Sequence, residues 1–421
     1  MTGRIHPAGT AHALALALAG LLFAVIPFRI TVDKRGGVLA LLVLVLLAVA
    51  LRRGDLRQCV PRSRALVFAA LGWLAVTLVS ALAGPDPLEA LRSVRSDVLG
   101  PMLAFCAFYY LTRDGSILLT WSAVCAAAQL LLAVLMVADP YQPDFNHRPA
   151  YVDTGMASCW LVVTAAVLPV LWAAPAPHAR WTRPLAIVAV LAMFASALAS
   201  YNRILWVCYA AMVATGSLAW VRLTGRMAQR PPGLQVLAVP ALIVAVLAGV
   251  AWYAIEARAP SYQATAEQSP GYVRQDPRAW IWPAGWRMAI EKPITGYGFG
   301  TEAWKDEFAR QNGSDRAPMR INHAHNALLN YTLQAGVVGG LAVLLLFGAL
   351  AHAFLASRPP TRDAALLACC GAALVAGFFL RNVTDDYFLR QPLMLFAALA
   401  GAFLGPLDRA SGMDGASGEH A

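Results

Sequence analysis

Apolar residues come along this chain in unbroken blocks of roughly 16 to 22 positions, each long enough as an α-helix to cross a hydrocarbon core of about 30 Å. None of the blocks alternates apolar and polar residues with a period of two, so the pattern predicts helices and not the strands of a barrel. Read block by block, it gives about twelve membrane helices, at 11–28, 37–51, 65–83, 98–112, 115–138, 154–174, 185–200, 204–221, 234–255, 325–356, 364–380 and 391–405. The first block follows Arg4 in the manner of a secretory signal. A second block comes at once, with no small-x-small cleavage site between them, which predicts an uncleaved helix. The predicted organisation is nine helices in 1–255, a polar insert over 256–324, three helices in 325–405 and a cytoplasmic tail over 406–421.

Composition sharpens this to an all-α polytopic membrane protein. Of the 421 residues 59% are apolar and 13% charged, against roughly a quarter charged in an average soluble chain. A net charge of +10 would invite a nucleic-acid partner in a soluble protein, but arginine-rich loops explain it here and no nucleic-acid motif accompanies it. Arg52, Arg53, Arg57, Arg62 and Arg64 crowd one short loop, which the positive-inside rule places in the cytoplasm together with the N-terminus. Fifteen Lys and Arg fall in loops assigned inside and nine in short segments assigned outside, which puts the insert on the outer face. The seven cysteines are an odd number, and no C-x-x-C spacing offers a disulfide framework or metal site.

The insert is where aqueous chemistry has room. It carries Trp280, Trp282, Trp286 and Trp304, a Gly296-Tyr-Gly298-Phe-Gly300 turn, and Arg274, Arg278, Arg287 and Arg320, too aromatic a composition for a solvated tail. Two short helices are predicted. One opens at Asp276-Pro277 and runs to about 290, with Arg278 and Trp282 a turn apart; the other covers 301–311, with Trp304 and Phe308 a turn apart. Their aromatic faces fit either a lid lying on the membrane or a small folded cap with its own core. Arg29, Lys34, Arg35, Arg92, Arg95, Arg148, Arg203, Arg381 and Arg390 lie on the same outer face. Snorkelling to headgroups accounts for any one of them, and as a set they point to an anion site. Arg203, in a break of a few residues between two apolar blocks, has the least freedom to leave the membrane surface.

His323 and His325 end the insert in Arg320-Ile-Asn-His323-Ala-His325-Asn326. On a helix, residues two apart point away from each other, so a metal site here needs an extended backbone and further ligands. No H-E-x-x-H motif is present, and neither metal nor cofactor is expected. A general base needs only one imidazole, and His325, at the start of the next membrane helix, is the better placed.

The run His323-Ala-His325-Asn326 followed by Gln334-Ala-Gly336-Val-Val-Gly339 resembles the H-x-H-N…G-x-x-G signature of the bacterial O-antigen ligase and polymerase superfamily. Upstream, Arg278-Ala-Trp-Ile-Trp282 and Pro293-Ile-Thr-Gly296-Tyr-Gly298 are similar to that family's R-x-x-x-W…P-x-x-G-x-G element, and Arg203 stands where the family has an arginine after its seventh helix. The resemblance covers about 200–386; the first 180 residues match in hydropathy alone. It implies a glycosyltransferase of the C-type membrane fold, working on the periplasmic face of the inner membrane on a glycan carried by undecaprenyl diphosphate. The ligase branch passes the glycan to a sugar hydroxyl of lipid A–core, without metal and with inversion. On that resemblance His325 is the base and Arg278 and Arg203 contact the diphosphate. His323, Asn326, Arg287 and Arg320 join the substrate site, and Asp385 or Asp386 takes the family's late acidic position.

The residues alone fit this chemistry. Expulsion of a diphosphate builds charge that guanidiniums bind with paired hydrogen bonds, and the acceptor hydroxyl needs a base. The expected function is therefore O-antigen ligase, with donor, lipid A–core and membrane lipids as partners. O-antigen polymerase and a protein O-glycosyltransferase are the alternatives within the family. A lipid-linked glycan flippase is the alternative of another class, disfavoured because no internal repeat is evident and the polar residues gather on one face.

Overall fold

The computed structural model describes residues 10–26, 28, 34–113, 115, 117–139, 154–200, 202, 204–225, 249, 278–312 and 323–417. These residues are all-helical, with no strand among them. The helices are α1 (Thr10–Val25), α2 (Arg35–Arg53), α3 (Arg64–Ala83), α4 (Pro87–Val94), α5 (Gly100–Thr112), α6 (Leu118–Ala138), α7 (Thr154–Ala165) and α8 (Leu168–Trp172). They continue with α9 (Ala176–Ala199), α10 (Ile204–Gly225), α11 (Arg278–Glu291), α12 (Thr301–Asn312), α13 (Ala327–Leu355), α14 (Arg362–Val383) and α15 (Arg390–Ser417). Eight of the described helices are long and apolar enough to cross a membrane, and α1 and α7 are shorter apolar helices.

The ends of these helices follow from their sequences. Ser63, Asp86, Asn326 and Thr361 each cap a helix by accepting a backbone N–H three residues on. Gly54 ends α2 in the left-handed conformation. Several boundaries depart from the hydropathy blocks. The expected 154–174 span divides into α7 and α8 around Ala166 and Val167, just before Pro169. The expected 98–112 span is the end of a longer helical path that starts at Pro87 and passes through a π-helical segment, Arg95–Leu99, before α5. α9 begins at Ala176, well before the predicted 185, and α15 runs on through Pro406 to Ser417. The helix expected at 234–255 lies outside the described residues.

Close packing holds α5 to α15. A methyl group on Gly401 or Gly405 would meet the carbonyl oxygens of Phe105 and Tyr109 at 2.3 and 2.2 Å, so these glycines let the two backbones touch. Beside them Phe347, Phe378, Phe388 and Phe396 form one aromatic cluster, with the Phe378 and Phe396 rings stacked at 4.2 Å.

The helical part of the insert is a folded cap seated on α13. Trp304 and Phe308 of α12 are buried with Ile281 and Met288 of α11 against Leu329 and Leu333 of α13. α11 continues through Pro283 to Glu291. Along its outer edge and just beyond it Trp286, Ile290 and Ile294 are at least half exposed, so a folded core and an exposed apolar edge coexist in the cap.

The cap and the membrane helices are joined at a break in α13. Ala335 and Gly336 leave helical geometry, Gly336 with φ 69°, which frees carbonyl oxygens inside what would be a continuous helix. The Pro293–Gly300 turn takes them up: Tyr297 N–H donates to Leu333 O at 2.8 Å and Gly298 N–H to Gln334 O at 3.0 Å, while Val337 N–H donates to Pro293 O at 2.7 Å. Ser80 of α3 donates to the same Gln334 oxygen at 2.8 Å. A methyl group on Gly336 would lie 2.2 Å from Ile294 O, and one on Gly296 2.6 Å from Gln334 O. The two glycine motifs of the sequence are thus the two halves of one joint. Gly336→Ala should destabilise the protein by more than about 3 kcal/mol, from positive φ and backbone overlap together. Gly348→Ala, with open space around it, is the control. Equal melting temperatures for the two variants in detergent would refute the joint.

Candidate functional site

The 323–326 run leaves the cap and enters α13. Asn326 caps the helix, its Oδ1 accepting from Leu329 N–H at 3.0 Å while its Nδ2 donates to Val383 O at 3.0 Å. His325 therefore sits just before the helix, in the left-handed region with φ 53°. That turn lets its backbone N–H donate to His323 Nδ1 at 3.3 Å and brings the two imidazole centroids to 4.2 Å. From α11, the Trp282 indole N–H donates to Ala324 O at 3.1 Å. The run is therefore fixed from both sides.

The opposing segment is the loop after α14. Asn382 Oδ1 accepts from Tyr387 N–H at 2.8 Å and turns the loop back on its helix. Asp385 Oδ1 then lies 3.0 Å from His325 Nδ1 and 3.4 Å from His323 Nδ1. Its Oδ2 accepts from both terminal nitrogens of Arg381, at 3.3 and 3.2 Å. Arg381 is 1% exposed. Its Nε and Nη2 donate to Ser158 Oγ of α7 at 3.2 and 3.0 Å, and its guanidinium stacks 4.5 Å from the Tyr387 ring centroid. Ser158 Oγ passes its own proton to Gly155 O at 2.7 Å and also accepts from Asn202 Nδ2 at 3.2 Å.

Charge follows this geometry. Burial works to raise the Asp385 pKa, but the His325 hydrogen bond, Arg381 and His323 together hold it well below the usual carboxylate range. Burial, reinforced by His325, pushes His323 down to about 4. A neutral His323 accepting the His325 N–H on Nδ1 carries its proton on Nε2. For His325 the reverse holds: Nδ1 faces an ionised carboxylate and carries the proton, so Nε2 is left with a lone pair. Asp386 points the other way. It is buried, accepts from Phe388 N–H at 3.3 Å and from the Asn330 amide, and is pushed up to about 7 by burial and by the charge on Asp385. Adjacent in sequence, the two carboxylates titrate in opposite directions.

The expected site residues thus fall into four groups. His323, His325 and Asp385 come together. Arg278 opens α11, one turn before the Trp282 that holds the histidine run, and Arg287 is exposed farther along the same helix. Asn326 and Asp386 are adjacent but engaged within the fold. Arg203 and Arg320 lie outside the described residues. Among the described residues the outer-face arginines do not converge: Arg92 pairs with Glu89, Arg390 approaches Asp97, and Arg35 is buried against Phe28 O, while Arg29, Arg148 and Arg203 lie outside the described residues. Arg381 alone of these reaches the histidines' carboxylate. The sequence marked Arg381 only as a helix-mouth cation; its spacing of four from Asp385 on the end of α14 was the signal for an ion pair. Nothing in the sequence marked Ser158.

The geometric objection to metal falls as well. The histidines precede the helix instead of riding on it, and His323, His325 and Asp385 each offer a ligand atom within 4.8 Å of the others. That donor set could take a divalent ion, though Arg381 already occupies one oxygen of Asp385.

The fold and site define a multi-pass, all-helical membrane protein with a histidine–carboxylate–arginine centre where its polar cap meets the helices. Residues 188–344 match a family model described as O-antigen ligase, which supports a relation to the O-antigen ligase superfamily over this part of the chain. The match covers the end of α9, α10, the insert, the histidine run and the broken part of α13, and stops short of Arg381 and Asp385. That match points to a glycosyltransferase-like enzyme in the broad sense, with a lipid-linked glycan donor in a membrane setting. No curated protein matches the chain.

Asp386 generates a stability prediction. Below pH 3.8 the carboxyl is protonated whether the chain is folded or not; between 3.8 and about 7 only the folded state keeps the proton, so its contribution to stability is lost as pH rises. Asp386→Asn removes that slope. The melting temperature of the variant relative to wild type should rise from pH 5 to about pH 7 and level off by pH 8; a constant difference would mean that Asp386 is ionised throughout.

Proposed function

We propose that the protein is an O-antigen ligase, which transfers O-antigen glycan from undecaprenyl diphosphate to a sugar hydroxyl of lipid A–core in the periplasm and so completes lipopolysaccharide. The observation that best supports a transferase is the His325–Asp385 pair at 3.0 Å, which leaves Nε2 of a part-exposed imidazole as a proton acceptor. In this reading Nε2 takes the acceptor hydroxyl proton as the oxygen attacks the anomeric carbon. The bond from that carbon to the diphosphate breaks from the opposite side, with inversion and no covalent intermediate. Asp385 holds the imidazole orientation and stabilises the imidazolium that forms. Arg278 and Arg203 receive the charge growing on the diphosphate, a role a divalent ion plays elsewhere, and Arg287 and Arg320 belong to the substrate site.

The finer expectations of the fold belong to this reading: about twelve membrane helices, a C-type glycosyltransferase arrangement, the insert on the periplasmic side of the inner membrane and the basic 52–64 loop in the cytoplasm. Flanking helices over 1–255 and 325–405 then carry the catalytic insert between them, ahead of a cytoplasmic tail.

The direct test supplies purified protein with undecaprenyl-diphosphate-linked glycan and lipid A–core in the presence of chelator. Glycan on lipid A–core supports a metal-independent ligase. A ladder growing on the carrier makes the protein a polymerase, and no product with a validated donor favours a flippase. Within that assay His325→Ala should lower turnover by about 10²–10⁴-fold while donor binding persists. Arg278→Lys keeps the charge but loses the planar fork, so it should weaken transfer; unchanged transfer would exclude bidentate binding by Arg278.

A further inference from the structure

α3 links two faces of the molecule. Its C-terminal end reaches the α13 joint through Ser80, and its N-terminal end emerges from the basic 52–64 loop. Along its lower half a cavity of about 380 Å³ opens between α3, α5, α13 and α15. Val60 and Pro61 of the basic loop line one end of it and Trp73 and Phe388 the other, and no charged side chain lines it anywhere. Val60 and Leu71, both on its wall, are 47% and 51% exposed, so the cavity opens beside the loop and the lower half of α3. At its inner end Trp73 and Phe388 line it and contact each other and Tyr331, with ring centroids 5.5 to 6.4 Å apart, and neither histidine nor Asp385 is among its lining residues.

A cavity with such walls does not hold water, and in a bilayer the matter available to fill it is hydrocarbon. Charge at the mouth decides which hydrocarbon. Arg57, Arg62 and Arg64 are exposed there, and among the described residues no carboxylate pairs with their guanidiniums. The neighbouring acids are engaged elsewhere: Asp55 accepts from the Tyr110 hydroxyl, and Asp408 from the Tyr109 hydroxyl and the Arg62 backbone N–H. We propose that this cavity binds one acyl chain of an anionic phospholipid, whose phosphate headgroup rests on Arg57, Arg62 and Arg64 at the face opposite His325. The loop arginines then do more than orient the chain in the membrane; they select the lipid that completes the packing of α3 against α15. The glycan donor does not meet this description, because no residue of the histidine site lines the cavity.

Native mass spectrometry of the purified full chain tests the proposal, with phosphatidylglycerol and phosphatidylethanolamine of identical chains offered together. Wild type should retain phosphatidylglycerol about tenfold over phosphatidylethanolamine. The triple variant Arg57→Gln, Arg62→Gln, Arg64→Gln should fall to near parity. Ala400→Phe, which fills the cavity from α15, should lose the bound lipid altogether; if it does not fold, Ala70→Phe fills the same space from α3. Equal retention of the two lipids by wild type, undiminished retention by the folded cavity-filled variant, or displacement of phosphatidylglycerol by an undecaprenyl phosphate would each overturn it.

Discussion

The site depends on one buried ion pair. Arg381 sits at the end of α14 with almost no exposure, where an unpaired guanidinium would be prohibitively costly. Asp385 answers its charge one turn later, while Ser158 and the Tyr387 ring take up its remaining faces. Because Oδ2 of Asp385 is committed to this pair, Oδ1 is held at the histidines. The imidazole is thus anchored through a carboxylate to the membrane-helix core, and α7, α14 and the 323–326 run share one hydrogen-bonded chain. Removing the arginine would leave a buried carboxylate with only the two histidines and the Asp386 backbone N–H beside it, so the pair serves stability and position through the same contacts.

The other face of the histidine run is held by a different kind of constraint. α13 is broken at Ala335–Gly336, and its freed carbonyls are satisfied by the turn that follows α11, with Ser80 of α3 sharing the Gln334 oxygen. Breaking a membrane helix costs free energy unless other backbone or side chains replace the lost bonds, and here the cap supplies them. The break therefore does for the cap what the ion pair does for the loop: each converts an unfavourable local feature into a fixed geometry. His325, in its own positive-φ conformation, lies between these two anchors.

How far the sequence discloses this differs by element. The membrane class and most spans are legible because hydrophobic blocks of spanning length have few other uses. The cap helices are legible too, since Trp304 and Phe308 recur at helical spacing. The division of 154–174 into α7 and α8 is not, because hydropathy stays high across the break at 166–167. The glycine motifs show that something must be tightly turned, but not that Gly296 and Gly336 turn against each other, which is a contact across about forty residues. The pairing of Asp385 with His325 spans 60 residues and was visible only as an ambiguity between two adjacent aspartates.

That ambiguity is resolved by burial and direction, which no linear pattern carries. Asp385 and Asp386 have the same intrinsic acidity, yet one faces a guanidinium and two imidazoles while the other faces an amide and a backbone N–H inside the helix packing. The first environment favours charge and the second penalises it. Had both been ionised, their repulsion at adjacent positions would have opposed the tight loop that Asn382 closes. Raising the Asp386 pKa to about 7 relieves that repulsion under more acidic conditions and leaves the negative charge on Asp385, beside His325. The division of roles between two identical side chains is thus a consequence of how α14, α13 and α15 pack, and the protonation of the site is set by the fold beneath it.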